Sequence, residues 1–273
     1  MGLEAVPLSR EQTLHIALGM GKALLKNGAE TSRVEDTISR FCHTHGYHDI
    51  HVFVTPTVII LGDEEKTVST VVMALDGTKA AADYAKSVEA DLLLTHHPII
   101  FNPVKKIVKG TAVYELINND IATMCAHTSY DKAAGGINDN LAKLLDLKNT
   151  RKLENGYVVV GELEREMSID DFAVLVGETL DTHGLRYTDT DKMIKTVAVG
   201  GGACGEFIND AMQNADCFVT SDLKYHEMLD ASESGFAVIN AGHFETENVP
   251  FLMLKEKLEK EFEEVEFIVA PVS

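Results

Sequence analysis

From Thr67 onward the chain alternates short apolar runs with amphipathic segments of helical period, and this alternation constrains the fold most strongly. It is typical of βαβ units around a parallel or mixed sheet, so an α/β fold is expected. Strands are predicted at Val68–Leu75, Asp91–Thr95, Ile121–Ala126, Thr196–Gly200, Cys217–Thr220, Ala237–Ala241 and Glu266–Ala270. Helices are predicted at Thr78–Glu89, Thr111–Asn118, Gly136–Leu145, Ile169–His183, Gly205–Asn214, Leu223–Glu233 and Thr246–Phe262.

The order of these elements occurs twice, which predicts a duplicated α/β domain with mixed sheets. The same order is found at residues 70–95 and 196–220: a strand, a helix, an Ala-Asp pair, a second strand and a threonine. The next strand ends in a histidine with an acid four residues later in both copies, His127 with Asp131 and His243 with Glu247. A duplicated unit usually builds its site at the seam between the copies.

The duplication gives a domain organisation for the chain. Residues 63–273 form the main domain, with halves at about 63–147 and 192–273. The polar connection 148–191 between them holds one isolated strand, Tyr157–Val160, and one helix. Residues 1–62 are predicted to form a small N-terminal α-α-β unit, whose first helix starts at a Ser9 capping box.

Charge and cysteine content exclude several classes of protein. With 24 basic and 43 acidic residues, the formal charge of −19 repels nucleic-acid backbones and anionic lipids. The four cysteines form no C-x-x-C pair, which indicates reduced thiols and no thiolate metal site. We find neither a signal peptide nor an apolar run of about 18 residues, so a cytoplasmic protein without membrane spans is expected.

Metal-ligand side chains follow three of the predicted strands. His96 and His97 end one strand, and the two His-x-x-x-acid groups end two others. Open α/β sheets place their sites at such carboxyl ends. Mixed nitrogen and oxygen donors suit zinc, manganese, iron or nickel, and a carboxylate between two ions about 3.5–4 Å apart is a common arrangement. The alternative is that these are polar loop residues.

Two further motifs leave alternatives open. Gly200–Gly205 matches G-x-G-x-x-G between a strand and a helix, which indicates either a phosphate cradle or a tightly packed turn. Asp222, Lys224 and His226 follow another predicted strand. Asp222 suits a helix N-terminus, whereas Lys224 and His226 either lie on a surface helix or act as substrate and acid/base groups near the metals.

Five ordered motifs from about Leu61 to the C-terminus resemble the GTP cyclohydrolase I type 2 homologues, also called Nif-three-like dinuclear metal-centre proteins. The motifs are Thr95-His96-His97-Pro98, Ala126-His127-Thr128 with Asp131, Gly135–Asp139, Thr220–His226, and Gly242-His243 with Thr246-Glu247. The resemblance implies that two divalent cations bind to His96, His97, Asp131, His243 and Glu247, with Glu247 as the bridge. It also implies a toroidal homohexamer, a trimer of dimers, with the site facing an inner cavity.

Residues 1–60 depart from that pattern. Gly21–Thr37 and Val52–Thr57 resemble the cytosolic N-terminal part of threonine/serine exporter family proteins, without that family's membrane helices.

The expected function is that of a metal-dependent hydrolase of the GTP cyclohydrolase I type 2 kind, which opens the purine ring of GTP. His226 or Lys224 would assist proton transfer. The alternatives are a non-catalytic, metal-dependent regulatory or binding protein built as a toroidal hexamer, and a nucleotide-binding module that uses the glycine-rich loop.

Overall fold

The computed structural model describes residues 37, 38, 40, 41, 67–101 and 105–271. The chain divides into two units, Met1–Val58 and Ile59–Ser273, and the fold described here is that of the second. Residues 37, 38, 40 and 41 are helical. The rest of the N-terminal α-α-β unit predicted for residues 1–62 lies outside the described residues.

The described residues from 67 onward form strands and helices in alternation. The strands are β1 (Thr70–Ala74), β2 (Leu92–Thr95), β3 (Ala122–Cys125), β4 (Lys148–Lys152), β5 (Val159–Met167), β6 (Arg186–Tyr187), β7 (Ile194–Val199), β8 (Cys217–Thr220), β9 (Ala237–Asn240) and β10 (Glu266–Val269). The helices are α1 (Lys79–Ser87), α2 (Ala112–Asn118), α3 (Thr128–Lys132), α4 (Ile137–Leu144), α5 (Ile169–Leu180), α6 (Ile208–Asn214), α7 (Tyr225–Ser234), α8 (His243–Leu252) and α9 (Leu254–Glu261).

The strands make two sheets, which confirms the predicted mixed α/β class. The first has the order β10-β1-β2-β3 and is parallel throughout. The second has the order β4-β5-β7-β8-β9-β6, in which β7, β8 and β9 are parallel and the other three strands are antiparallel to their neighbours. Each sheet thus contains one parallel unit of three strands in chain order, as the repeated pattern predicts.

The stretch 148–191, predicted as a polar connection, supplies much of the second sheet. It contains β4, β5 and β6, of which only part of β5 was predicted. It also contains α5, which the Ser168 hydroxyl caps by accepting from the Asp171 amide at 3.1 Å. Phe172 and Val176 of this helix are fully buried in the core beside β7. The stretch is therefore part of the folded domain.

Apolar residues cover both faces of each parallel unit. In β7, Val197 and Val199 pack into one cluster and Ala198 into another, because successive strand residues point to opposite faces. In the first sheet, Val72 lies in one cluster and Met73 in another. Phe251 of α8 is fully buried in the cluster of Met73, so a helix that follows the second sheet packs on the first.

Three predicted helices differ from the observed ones, and one of them, Ile169–His183, ends three residues early at Leu180. The segment Thr246–Phe262 forms two helices, α8 and α9, and α8 begins three residues early at His243. The segment Gly205–Asn214 begins with a 3₁₀ turn, Gly205–Phe207, before α6. In the part of the chain that the structure describes, no helix combines the length and the apolar character that a membrane span requires.

Candidate metal centre

Three strand ends supply a compact group of metal-ligand side chains. His96 and His97 follow β2, and His127 follows β3. His243 and Glu247 belong to the first turns of α8, which follows β9. Parallel strands in one sheet end at a common edge, so each sheet presents these side chains at its carboxyl edge.

Two short turns set the acids beside the histidines. His127 is the N-cap of α3, and Asp131 lies one helical turn later. His243 is the first residue of α8, with Glu247 four residues on, and this spacing places both on one face of the helix. Gly242 has φ +96° between β9 and α8, a conformation that residues with a side chain rarely adopt.

His96 is fully buried and its ring orientation is fixed. Its Nδ1 lies 2.8 Å from the Ala126 carbonyl oxygen, which can only accept, so Nδ1 is the donor in this contact and Nε2 faces the carboxylates. Nε2 lies 3.5 Å from Asp131 Oδ1 and 3.7 Å from Glu247 Oε1. Among the described residues, this nitrogen has no hydrogen-bond partner.

The second oxygen of Glu247 faces a different pair of histidines. Oε2 lies 3.0 Å from Nε2 of His97 and 3.0 Å from Nε2 of His243, and the two nitrogens are 3.3 Å apart. Despite these distances, Oε2 has no aligned hydrogen-bond donor within the described chain. On the far side of each ring, Nδ1 contacts an acid, Asp76 Oδ1 at 2.8 Å for His97 and Asp222 Oδ2 at 2.6 Å for His243.

These contacts form one continuous cluster of ligand atoms. Three groups have their ligand atoms within 4.8 Å of one another: His96, His97 and His127; His97, His243 and Glu247; and His96, Asp131 and Glu247. Every group shares at least one residue with each of the others. Buried His and Glu groups in this arrangement can bind a metal ion.

The electrostatics of the cluster concentrate negative charge on Glu247. Burial raises the pKa of this carboxyl, but the nearby His243, His96 and His97 outweigh burial and hold the pKa well below its usual range. Contact with Glu247 raises the pKa of His243 to about 9. Burial raises the pKa of Asp131 to about 6 and lowers that of His127 to about 4. At neutral pH, His127 is therefore uncharged, and His243 carries a proton that a bound cation must displace.

The glycine-rich loop after β7 packs against the cluster. The Gly201 amide donates to Asn138 Oδ1 at 2.7 Å, and the Gly202 amide donates to Thr246 Oγ1 at 3.0 Å. The Cys204 amide donates to the Gly202 carbonyl at 3.0 Å. These three amides already have protein acceptors and are not available to a phosphate, which favours the tightly packed turn.

Comparison with known proteins identifies the family. Residues 31–273 match the family model described as Duf34/NIF3 (NGG1p interacting factor 3). The chain belongs to the NIF3 family. It is 34% identical over 226 residues to a protein named GTP cyclohydrolase 1 type 2 homolog from Clostridium perfringens. The matched region covers 78% of this chain and 86% of that protein. A protein with the same name from Clostridium acetobutylicum is 34% identical over 74% of this chain and 80% of its own length.

Two solved structures have the same fold as this chain. A hypothetical protein from Staphylococcus aureus superposes with a TM-score of 0.72 at 25% identity, over 79% of this chain and 89% of that one. Reduced HcgD from Methanocaldococcus jannaschii superposes with a TM-score of 0.69 at 25% identity, over 87% and 98%.

The family resemblance seen in the motifs is thus confirmed. The family match begins at residue 31, about thirty residues before the expected start near Leu61, and so includes part of the exporter-like segment. The resemblance of residues 1–60 to exporter proteins stays a prediction.

The structure brings together all five residues predicted as metal ligands: His96, His97, Asp131, His243 and Glu247. Lys224 and His226, predicted as catalytic, are both exposed at the start of α7. Nζ of Lys224 lies 3.5 Å from Glu227, and the His226 ring contacts Tyr225. Their catalytic role stays a prediction.

Three further residues of the cluster lie outside the predicted ligand set. His127 was grouped with the metal-ligand types at the strand ends, but the family resemblance does not assign it as a ligand. Asp76 was given no role at the site, and Asp222 was placed at a helix N-terminus. The two aspartates stand 21 residues before the histidines that they contact, in both halves of the domain. This equal spacing was the available sequence signal.

Proposed function

We propose that this chain binds two divalent cations, one at each oxygen of Glu247, and acts as a metal-dependent hydrolase. The observation that carries the proposal is the position of that carboxylate between two donor groups. Oε1 faces His96 and Asp131, whereas Oε2 faces His97 and His243. A carboxylate shared between two ions is typical of two-metal hydrolytic sites.

Some of the ligand atoms are not satisfied by hydrogen bonds within the cluster, as is expected of atoms that bind a cation. His96 Nε2 and Glu247 Oε2 are buried without hydrogen-bond partners among the described residues, and such orphaned atoms are costly in a folded protein. Nitrogen and oxygen donors without thiolate suit zinc, manganese, iron or nickel. Burial raises the pKa of the Cys204 thiol to about 12, so this neighbouring cysteine does not supply a thiolate.

The two sides of Glu247 differ in their access to solvent, which favours catalysis over a purely structural role. The His97 and His243 side chains are 23% and 36% exposed, whereas that of His96 is fully buried. A substrate can therefore approach the Oε2 side, as an open catalytic metal position requires. When bound, two cations would polarise a substrate oxygen and lower the pKa of a water toward about 7.

We propose GTP as the first substrate to test, with hydrolytic opening of the purine ring. The proposal rests on the name of the relatives, GTP cyclohydrolase 1 type 2 homolog. The chain's formal charge of −19 opposes an anionic nucleotide, so the cations have to supply the local positive potential. Burial lowers the pKa of His127 to about 4, so its ring is uncharged near neutral pH and is a weak proton acceptor there.

Metal content per chain tests the proposal. Elemental analysis of purified protein should give about two divalent ions per chain, and Glu247→Ala should lose both, because it removes the shared carboxylate. Glu245→Ala, on the same helix, is the matched control and should keep both ions. A Glu247→Ala protein that retains two ions would overturn the two-ion site. GTP turnover that is abolished by chelation and restored by the metal would support the hydrolase, and its absence would leave cation binding alone.

The homohexamer is also proposed for this chain. Exposed apolar side chains near the edge strand β3 support an interface between copies, among them Ile117 and Met124, which are 50% and 43% exposed. Light scattering on the metal-loaded protein should give six times the mass of one chain. A monomer would contradict the assembly.

A further inference from the structure

We propose that Asp76 and Asp222 are positioning residues, which hold His97 and His243 with Nε2 directed at a cation on the Oε2 side of Glu247. This inference rests on the two-cation function proposed above. It assigns a role to two acids outside the ligand set.

The contacts on the two rings are matched. Asp76 Oδ1 lies 2.8 Å from Nδ1 of His97, and Asp222 Oδ2 lies 2.6 Å from Nδ1 of His243. An acid that accepts from Nδ1 fixes the tautomer, leaves the lone pair on Nε2 and sets the ring plane. Both Nε2 atoms then point to the same Glu247 oxygen, at 3.0 Å each.

The rings of His97 and His243 are partly open to solvent, at 23% and 36% exposure, and so depend on such support more than the fully buried ring of His96 does. The buried ring of His96 is oriented by the Ala126 carbonyl and contacts the Phe251 ring, with centroids 5.7 Å apart. His97 and His243 are partly open to solvent, and each has its acid instead. Both positioning acids therefore lie on the solvent-accessible side of the centre, which is the side that a substrate would approach.

The backbone at Asp222 is shaped for this contact. Asp222 has φ 52°, in the left-handed region that aspartate and asparagine enter more readily than most residues. It directly follows Ser221, whose amide and hydroxyl both donate to the Gly202 carbonyl, at 3.0 Å and 2.7 Å. The turn that carries the acid is therefore anchored to the loop that packs against Glu247.

The test uses two substitutions at each position. Asp76→Asn and Asp222→Asn keep an oxygen that accepts from Nδ1, whereas Asp76→Ala and Asp222→Gly remove it. Glycine is chosen at 222 because it adopts φ 52° without strain. Asp181→Gly is the matched control, since Asp181 is exposed, has the same φ of 52° and lies outside the cluster.

Metal-free protein is titrated with Zn²⁺ against a competing chelator, and the affinity of each of two positions is measured. Asp76→Ala and Asp222→Gly should weaken one position about 10- to 100-fold and leave the other unchanged. The asparagine variants should recover most of that loss, and Asp181→Gly should match the wild type. Circular dichroism of the metal-free variants checks that each one is folded.

The outcomes separate the two proposals. Wild-type protein that binds fewer than two Zn²⁺ ions overturns the two-cation function, and the positioning role with it. If the wild-type protein binds two ions and the alanine and glycine variants bind them with unchanged affinity, the positioning role alone is overturned. The positioning role is also overturned if a variant weakens Zn²⁺ binding equally at both positions, or if the asparagine variants bind Zn²⁺ as weakly as Asp76→Ala and Asp222→Gly do.

Discussion

Gly202 is the residue that leaves room for the Glu247 carboxylate. A Cβ built on Gly202 would lie 2.0 Å from Glu247 Oε1, and the residue has φ +64°. The Gly202 carbonyl accepts from the Thr220 and Ser221 hydroxyls, at 3.2 Å and 2.7 Å, so the loop cannot easily retreat. The missing side chain is therefore part of the site.

Gly202→Ala should displace the carboxylate and reduce metal content below two ions per chain. The metal-free protein should also lose about 1–2 kcal/mol of unfolding free energy, because alanine is strained in the left-handed region. Elemental analysis and urea unfolding measure the two effects. Gly184→Ala, where an added Cβ meets nothing within 4 Å, is the control. Full metal content in Gly202→Ala would show that Glu247 need not lie where the structure has it.

Metal uptake should release protons at neutral pH. Contact with Glu247 raises the pKa of His243 to about 9, so its ring is protonated below that pH and must lose a proton to bind a cation. Affinity should therefore rise with pH up to about 9, by at most about tenfold per pH unit for one proton. Calorimetric titration at pH 7.5 in two buffers of different ionisation enthalpy measures the release. Identical heats in both buffers would contradict it.

At the scale of elements, α8 carries two of the predicted ligands, His243 and Glu247, and a buried amide holds it in place. Asn140 of α4 donates from Nδ2 to the Pro250 carbonyl in α8 at 3.0 Å and to the Tyr130 hydroxyl at 3.2 Å. Asn140 is 6% exposed, so water cannot replace these bonds. One side chain thus ties α8 to α4 and to the turn that carries Asp131.

Asn140→Ala should destabilise the metal-free protein by about 1–3 kcal/mol, because it leaves a buried carbonyl without its donor. Urea unfolding measures the loss. Asn209→Ala, at an exposed position of α6, should stay within about 0.5 kcal/mol of the wild type. If both variants unfold alike, the buried amide contributes nothing particular to the fold.

How far the sequence predicts these elements depends on what stabilises each. The parallel strands are apolar runs, buried on both faces at the centre of each sheet, and all seven of them were predicted. Strand β4, Lys-Asn-Thr-Arg-Lys, has four exposed residues at a sheet edge, so composition gives no signal for it. The start of α8 was missed because Gly242 precedes it and has no side chain to cap the helix.

The site itself was predictable only in part. The five expected ligands are residues of the recognised motifs. Asp76 and Asp222 instead contact histidine rings, those of His97 and His243, which lie at the end of the next strand in each sheet. A single sequence does not say which acid faces which ring. That pairing follows from strand order, which only the folded sheet defines.

At the scale of the whole molecule, the centre joins the two sheets, so metal removal should weaken the entire domain. A cation that binds only the folded state adds about 2.7 kcal/mol at a free concentration 100 times its dissociation constant. For a domain of this size, that corresponds to a melting temperature roughly 5–10 °C higher. Thermal unfolding with and without a chelator measures the shift. Glu247→Ala should show no shift, and an equal shift in this variant would place the stabilising metal elsewhere.

The distribution of donors along the chain has a consequence for ancestry. His96, His97, His127 and Asp131 precede residue 148, whereas His243 and Glu247 follow residue 192. If each half descends from one shorter gene, the early product had to meet a second copy of itself to assemble a comparable centre. Two identical copies carry identical strand ends. Once the copies had diverged, one end could keep His96-His97 while its counterpart became Ser221-Asp222, so that a ligand position in one half corresponds to a positioning acid in the other.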